Sequence, residues 1–255
     1  MTQDKNLTDS QRQLKATEEE LAAVQRMISI EDARDSLLGF TQFTMPDPED
    51  VDNSMLTQFE VEPHHKLLAE ALEKVESGEC LRLAILMPPQ HGKSELATRR
   101  FPAWVIGRKP WTKIMIGTYN QDFANDFGSQ IREIMTSPQY KSVFKTEFLK
   151  GSKSKEFLVT TERGQMAMLG RGGSGTGKPA DLFLIDDPLK DAKEAESPTI
   201  RNDLWEWYTK VAFTRCHVAT SIVIIHTRWH EDDLIGKLCD PDHPHHDPKI
   251  ANEWT

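Results

Sequence analysis

The sequence predicts an α/β fold in which short buried strands alternate with amphipathic helices. Four apolar runs, at residues 81–87, 113–119, 181–187 and 220–226, have the length of core strands. A helical pattern follows the second run, opening at Asn120, which can cap it, and closing near Ser137. Three of the runs lead into polar or charged residues, at the strand edge where open α/β sheets bind ligands.

The first strand leads into a loop that has the composition of a phosphate-binding site. Two prolines stop the strand, Gly92-Lys93-Ser94 follows, and residues 95–100 form the start of a helix. Gly92 would let backbone amides approach phosphate oxygens, Lys93 would reach the β- and γ-phosphates, and Ser94 would ligate Mg²⁺. The candidate nucleotide-binding residues of the loop are Pro89, Gln90, His91, Gly92, Lys93, Ser94 and Glu95.

The loop departs from the full pattern G-x-x-x-x-G-K-[ST], because Met87 stands where the first glycine belongs. An ordinary strand-to-helix turn that holds Gly-Lys-Ser is therefore the alternative interpretation.

A second predicted strand ends in the acidic residues that a nucleotide-binding loop needs as partners. Residues 181–187 form an apolar run that ends in Asp186 and Asp187, about ninety residues after the glycine-lysine-serine loop. One acid would hold Mg²⁺ and the other would orient or deprotonate the attacking water. We assign Asp186, with Ser94, to the metal and Asp187 to catalysis, so the pair predicts nucleotide hydrolysis.

Composition limits the other classes of function. The 255 residues fit one large α/β domain with appendages, and 38% hydrophobic residues suffice for a core. The chain has no apolar run of membrane-spanning length, and its N-terminus lacks the apolar segment of a signal peptide. Three scattered cysteines suit a reducing compartment, and the net charge of −9 does not suggest a general nucleic-acid coat protein.

The N-terminal fifth of the chain is predicted to be an appendage of residues 1–50. Residues 8–43 have a helical pattern, as one helix or as two divided near Ser29, and they suit a helical cap or a partner-docking arm. An acidic, proline-bearing linker follows, and Pro63 then opens a helix that Ser77 and Gly78 end. His65 is a candidate for contact with adenine, as are Phe59 and His64, and ordinary packing is the alternative.

Residues downstream add three further candidates. Arg171 lies in a glycine-rich loop, residues 170–179, from which a guanidinium could reach a neighbouring subunit's γ-phosphate. A solvated loop arginine is the alternative. Residues 188–197 are predicted to be a loop. Thr227 and Arg228 follow the fourth strand, where they could sense the γ-phosphate.

Together these motifs resemble the large terminase subunit of tailed bacteriophages, over about residues 55–240. The resemblance implies an ASCE-type, RecA-like P-loop ATPase with a central, largely parallel sheet. It places Lys93 and Ser94 in Walker A and Asp186 in Walker B. Asp187 falls where many relatives carry a longer catalytic glutamate. It also implies an arginine finger at Arg171.

The resemblance further implies that Thr227 and Arg228 lie in the motif that couples hydrolysis to movement. The implied function is ATP hydrolysis, with Mg²⁺, that drives viral double-stranded DNA into a procapsid in the host cytoplasm. The implied partners are double-stranded DNA, the portal protein and the small terminase subunit, with a ring on the portal that we expect to be a pentamer. The alternative that the chain is a monomer in isolation stays open.

Complete large terminases also carry a nuclease domain. We expect an ATPase domain over residues 51–240 and the start of a linker to that domain over 241–255, without nuclease activity in this chain. Two alternatives remain open. One is a helicase-type ATPase, and the other is a nucleotide-gated docking module with little hydrolysis.

Overall fold

A computed structural model describes residues 8–151, 154–173, 179–244 and 251–255. The chain divides into two compact units, residues 1–60 and 61–255. The predicted domain boundary at residue 50 stays a prediction. Parts of the predicted glycine-rich loop (174–178) and of the predicted linker (245–250) lie outside the described residues.

The first unit is built from two helices, α1 (Asp9–Asp35) and α2 (Leu37–Phe43). They divide at Ser36 and not near Ser29, so the predicted position of the break was wrong. Ser29 is helical and its hydroxyl donates to the Gln25 carbonyl at 3.0 Å. Ser36 has extended backbone and its hydroxyl accepts from the Gly39 amide, so it ends one helix and caps the next.

The second unit contains a six-stranded sheet. The strands are β1 (Arg82–Leu86), β2 (Lys113–Thr118), β3 (Phe157–Val159), β4 (Gln165–Gly170), β5 (Ala180–Asp186) and β6 (Cys216–His226). Their spatial order is β1-β6-β5-β2-β4-β3, and only the β3–β4 pair is antiparallel. The predicted, largely parallel sheet is confirmed. β6 lies between β1 and β5, as expected of the ASCE class.

Helices connect these strands. They are α3 (Pro63–Ser77), α4 (Phe101–Arg108), α5 (Gln121–Thr136), α6 (Pro138–Val143), α7 (Ala192–Glu196), α8 (Pro198–Trp207) and α9 (Leu234–Cys239). A π-helical turn, Glu95–Arg100, precedes α4, and another, Tyr208–Ala212, follows α8, before a 3₁₀ turn at Phe213–Arg215. The caps predicted at Pro63, Gly78 and Asn120 are present. α7 lies where a loop was predicted, because Asp191 accepts from the Glu194 amide and so caps a short helix.

Both faces of the sheet are covered. Alternate strand residues, among them Phe183 and Ile222, pack with Trp207 of α8 and Leu234 of α9 in one cluster. The strand residues between them form the other face, where α3 contacts β1 and α5 contacts β2 and β4. The core strands are thus buried on both sides, which explains their continuous apolar runs.

Two features complete the fold. The backbone of Thr255 pairs with Arg82 and Ala84 along the free edge of β1, and Trp254 packs against the core. Across the described ranges, no helix is both long and apolar enough to cross a membrane.

Candidate nucleotide-binding site

The carboxyl ends of three neighbouring strands meet at one edge of the sheet. In the register of the parallel pairs, Leu86 of β1 lies opposite His226 of β6, and Asp186 of β5 lies opposite Ile225. The loop after β1, the acids after β5 and the residues after β6 therefore emerge side by side. This shared edge is where the sequence motifs had to converge for one site to form.

The loop after β1 turns sharply through two residues with left-handed backbone. Gln90 has a φ of 64° and Gly92 a φ of 73°. A Cβ on Gly92 would lie 2.6 Å from Nε2 of His65, so only glycine fits this turn. The helix that follows begins with a bond from the Leu96 amide to the Gly92 carbonyl at 3.0 Å.

Lys93 reaches across the edge to the ends of β6 and β5. It is 4% exposed, and its ammonium lies 2.9 Å from Oδ2 of Asp187. The same ammonium donates to the Thr227 hydroxyl. The structure thus brings together three of the predicted residues, one from each loop.

Asp187 is held at the centre of this group. Its backbone is left-handed (φ 37°), a region that aspartate tolerates better than most residues. Its amide donates to the Ile225 carbonyl at 2.9 Å, and its Oδ1 accepts from the Thr227 amide at 2.8 Å. These bonds aim the carboxylate over the end of β6, while 29% of the side chain remains exposed.

Asp186 is buried beside it, with 1% of its surface exposed. Burial raises the pKa of Asp186 to about 6 and the charge of Asp187 adds to the rise, while Thr98, Ser94 and Lys93 lower it. Its Oδ2 accepts from the Thr98 hydroxyl at 2.6 Å. Its Oδ1 has no hydrogen-bond partner among the described residues. A buried carboxylate oxygen with this deficit suits a cation.

His65 supports the loop from α3. Its Nδ1 accepts from the Glu62 amide at 3.1 Å, which leaves Nε2 to donate to the His91 carbonyl at 3.2 Å. His64 also bonds the His91 carbonyl, and Nδ1 of His91 bonds the Pro89 carbonyl at 2.8 Å. Both ring nitrogens of His65 are thus engaged with backbone, so this geometry favours loop support over hydrogen bonding to a base.

The other predicted side chains have partners within the chain. The carboxylate of Glu95 bonds Arg99 at 2.5 Å and Arg100 at 2.7 Å, so it offers a ligand only its backbone amide. Arg228 pairs with Asp233, Nε to Oδ2, at 2.5 Å.

Arg171 is also engaged. It bonds Glu194 through both terminal nitrogens, at 3.0 and 3.2 Å, and it donates to the Pro188 carbonyl at 3.0 Å. The pair is more than three-quarters buried at both side chains. The structure therefore places the predicted finger in a bidentate ion pair with its own chain, and not in the group around Lys93.

Sequence reasoning missed one residue of the site, Thr98. The signal was available, because Thr98 follows Ser94 by one helical turn. At the end of β6, His226 is a fully buried imidazole whose Nε2 lies 3.3 Å from Oδ2 of Asp233.

The site combines a loop that turns at a glycine after an edge strand, the lysine of that loop, and a buried acid two strands away in the sheet. This combination defines the P-loop NTPase fold. The family model described as terminase large subunit, T4likevirus-type, N-terminal, matches residues 84–254, or 171 of the 255 residues. The chain belongs to this family. Comparison with curated protein sequences gave no match.

Two solved structures are similar to this chain, and the first of them supports the fold. The large terminase of bacteriophage HK97 is 14% identical, with a TM-score of 0.53 over 84% of this chain and 42% of that one. The chain thus spans less than half the length of that relative. The large terminase ATPase domain of Thermus phage P74-26 is 12% identical, with a TM-score of 0.43 over 66% and 70% of the two chains.

Proposed function

We propose that this chain hydrolyses ATP, with Mg²⁺, to drive double-stranded viral DNA into a procapsid. The observation that carries the proposal is the convergence of Lys93, Asp187 and Thr227 beside the buried Asp186, in a chain of the terminase family.

The triphosphate would bind over the glycine turn. Backbone amides around Gly92 and the start of the helix supply a positive potential, and Lys93 supplies a charge. Because Lys93 is paired with Asp187 and Thr227, phosphate oxygens would replace these partners. The exchange would leave Oδ2 of Asp187 open at the edge of the site.

The residues present fit a magnesium ion. Asp186 offers its unpartnered Oδ1, and the Ser94 hydroxyl lies close enough to lower the pKa of that carboxyl. Two protein ligands, with phosphate oxygens and waters, are what Mg²⁺ usually takes in such sites. When bound, the ion neutralises charge on the phosphates.

Asp187 is the proposed base. A water oxygen attacks the γ-phosphorus, the bond from that phosphorus to the β,γ-bridging oxygen breaks, and a proton of the water passes to Asp187. The Thr227 amide holds Oδ1 of Asp187, so Oδ2 is the oxygen that can face water once Lys93 has turned to phosphate. Orientation and proton transfer of this kind contribute roughly 10²–10⁴ in rate.

Arg171 remains the proposed arginine finger for a neighbouring subunit. Its present partner is Glu194, so acting in trans requires exchange of a carboxylate for the neighbour's γ-phosphate. The motor role adds double-stranded DNA, the portal protein and the small terminase subunit as partners in the host cytoplasm. It also adds the assembly of several copies of the chain into a ring on the portal, which we propose to be a pentamer.

The decisive test is Mg²⁺-dependent phosphate release. Lys93→Ala should reduce ATP turnover to background. Lys210→Ala should not, because Lys210 is an exposed residue outside the site that pairs with Glu206 at 2.9 Å. Wild-type turnover in Lys93→Ala contradicts the site. Tight ATP binding without release in the wild type favours a docking module, and strand separation favours a helicase.

A further inference from the structure

We infer that Thr98 is a positioning residue that fixes the metal-binding carboxylate of Asp186. The inference rests on the proposed function, since it assigns a role toward the magnesium of the same site. Thr98 is fully buried, and its hydroxyl donates to Oδ2 of Asp186 at 2.6 Å.

The position of Thr98 follows from the helix that starts at the phosphate loop. Thr98 follows Ser94 by four residues, so both side chains lie on one side of this helix. It lies within the π-helical turn Glu95–Arg100, a local irregularity of the kind that recurs at functional sites. The proposed metal ligand Ser94 and the residue that contacts the second ligand thus share one short segment.

The direction of the Thr98 hydroxyl is informative. A threonine hydroxyl has one proton, and inside a helix it commonly donates to the carbonyl four residues before it. Thr17 and Thr41 of this chain do so, at 3.0 and 2.8 Å. Thr98 instead donates across to another element, the end of β5. Its proton is therefore used to hold the Asp186 carboxylate.

The bond determines which oxygen of Asp186 is available. Oδ2 is occupied by the Thr98 hydroxyl, and Oδ1 is the oxygen without a partner among the described residues. The carboxylate would therefore meet a cation through one oxygen, in a fixed orientation. Hydrogen bonds of this second shell typically change metal affinity by about 10- to 100-fold.

The bond also ties the two proposed metal ligands together. Ser94 belongs to the helix after β1, and Asp186 ends β5, with β6 between the two strands. The 2.6 Å contact joins this helix to β5 at the level of the metal site. Loss of the hydroxyl would thus leave the Asp186 carboxylate free to rotate. The backbone amides that are proposed to bind phosphate would stay in place.

The test is binding of a fluorescent ATP analogue, titrated with Mg²⁺ and repeated in EDTA. Thr98→Val should leave affinity in EDTA unchanged and raise the Mg²⁺ concentration for half-maximal effect about tenfold or more. Thr98→Ser keeps the hydroxyl and should return that concentration to within about threefold of wild type. Thr118→Val is the matched control, because Thr118 is fully buried and its hydroxyl has no partner among the described residues.

Two outcomes overturn the inference. One is a Mg²⁺ requirement in Thr98→Val equal to that of wild type. The other is a loss of nucleotide affinity in Thr98→Val that is as large in EDTA as in Mg²⁺, which would show that Thr98 contributes only through packing. If the wild type itself shows no Mg²⁺-dependent binding, the proposed function fails, and that result is distinct from both.

Discussion

The ammonium of Lys93 lies 2.9 Å from the carboxylate of Asp187, although the two residues come from loops after non-adjacent strands. The lysine expected to bind phosphate and the acid expected to activate water are therefore each other's partners. In the proposed function, each could serve the substrate only when this ion pair is exchanged. Phosphate binding and exposure of the proposed base would thus be linked by one contact.

The first prediction concerns Asp187→Asn. The amide keeps the size of the side chain and tolerates the left-handed backbone, but it cannot take a proton. ATP turnover should fall by about 10²-fold or more. ATP binding should stay equal or become tighter, because Lys93 loses its competing carboxylate. Single-turnover phosphate release and equilibrium binding measure the two effects, and weaker binding would contradict the exchange.

The second prediction concerns the ion pair between Arg171 and Glu194, whose two members should respond differently to substitution. Arg171→Ala should lower turnover about 10³-fold where subunits associate, because it removes a transition-state charge. Glu194→Gln loosens the internal ion pair and should raise turnover at limiting protein concentration. The measurement is ATP turnover against protein concentration. If both variants only lower the melting temperature and turnover stays first order in protein, Arg171 is a structural residue.

The third prediction concerns the turn at Gly92. Gly92→Ala should abolish nucleotide binding, since its Cβ would lie 2.6 Å from Nε2 of His65 at a φ of 73°. Gly78→Ala is the matched control: its φ is 85°, but nothing lies within 4 Å of the added Cβ. The control should lose roughly 1 kcal/mol of stability from backbone strain alone and keep nucleotide binding. Thermal unfolding and fluorescent-nucleotide binding give the two readings.

The fourth prediction follows from the burial of Asp186. Its pKa is raised to about 6 from an ordinary value near 3.8, so between these values the folded protein holds a proton that the unfolded chain has lost. The free energy of unfolding should therefore fall as pH rises from about 4 to about 6, by about 3 kcal/mol from this group. Stability that this carboxyl contributes is present below pH 4 and lost above pH 6.

Asp186→Asn should remove that dependence. The difference in unfolding free energy between variant and wild type, measured by denaturant titration without added metal, should grow from pH 4 to pH 6 in favour of the variant. The same variant should lose Mg²⁺-dependent nucleotide binding. A difference that does not change with pH would contradict the assignment.

Much of this architecture could be predicted because it is encoded locally. The apolar runs that end at Leu86, Asp186 and His226 are strands, and Pro63 and Asn120 mark helix starts. The motif around Lys93 predicted a tight loop between this strand and the next helix, and the structure has that loop. These signals depend on periodicity and on capping residues, which act within a few positions of the chain.

Side-chain partners between distant segments could not be predicted in the same way. Nothing near Arg171 in sequence indicates Glu194. The spacing of Thr98 from Ser94 indicates that Thr98 lies on the side of the proposed metal site, but it does not identify Asp186 as the hydrogen-bond partner. The short helix α7 and the break at Ser36 were also missed. Each depends on a single local cap, in which one side chain accepts a hydrogen bond from the backbone amide three residues later, and no strong apolar periodicity marks it. Tertiary contacts decide only the partners of Arg171 and Thr98.

The central place of β6 restricts which part of the site edge could move in the proposed packaging cycle. β6 is hydrogen-bonded on both sides, to β1 and to β5, so sliding it lengthwise would break two ladders at once. Thr227 is the first residue beyond these ladders, and it bonds both Lys93 and Asp187. If the proposed function holds, the segment from Thr227 to Asp233 is the part of this edge that can move after phosphate loss without breaking either ladder.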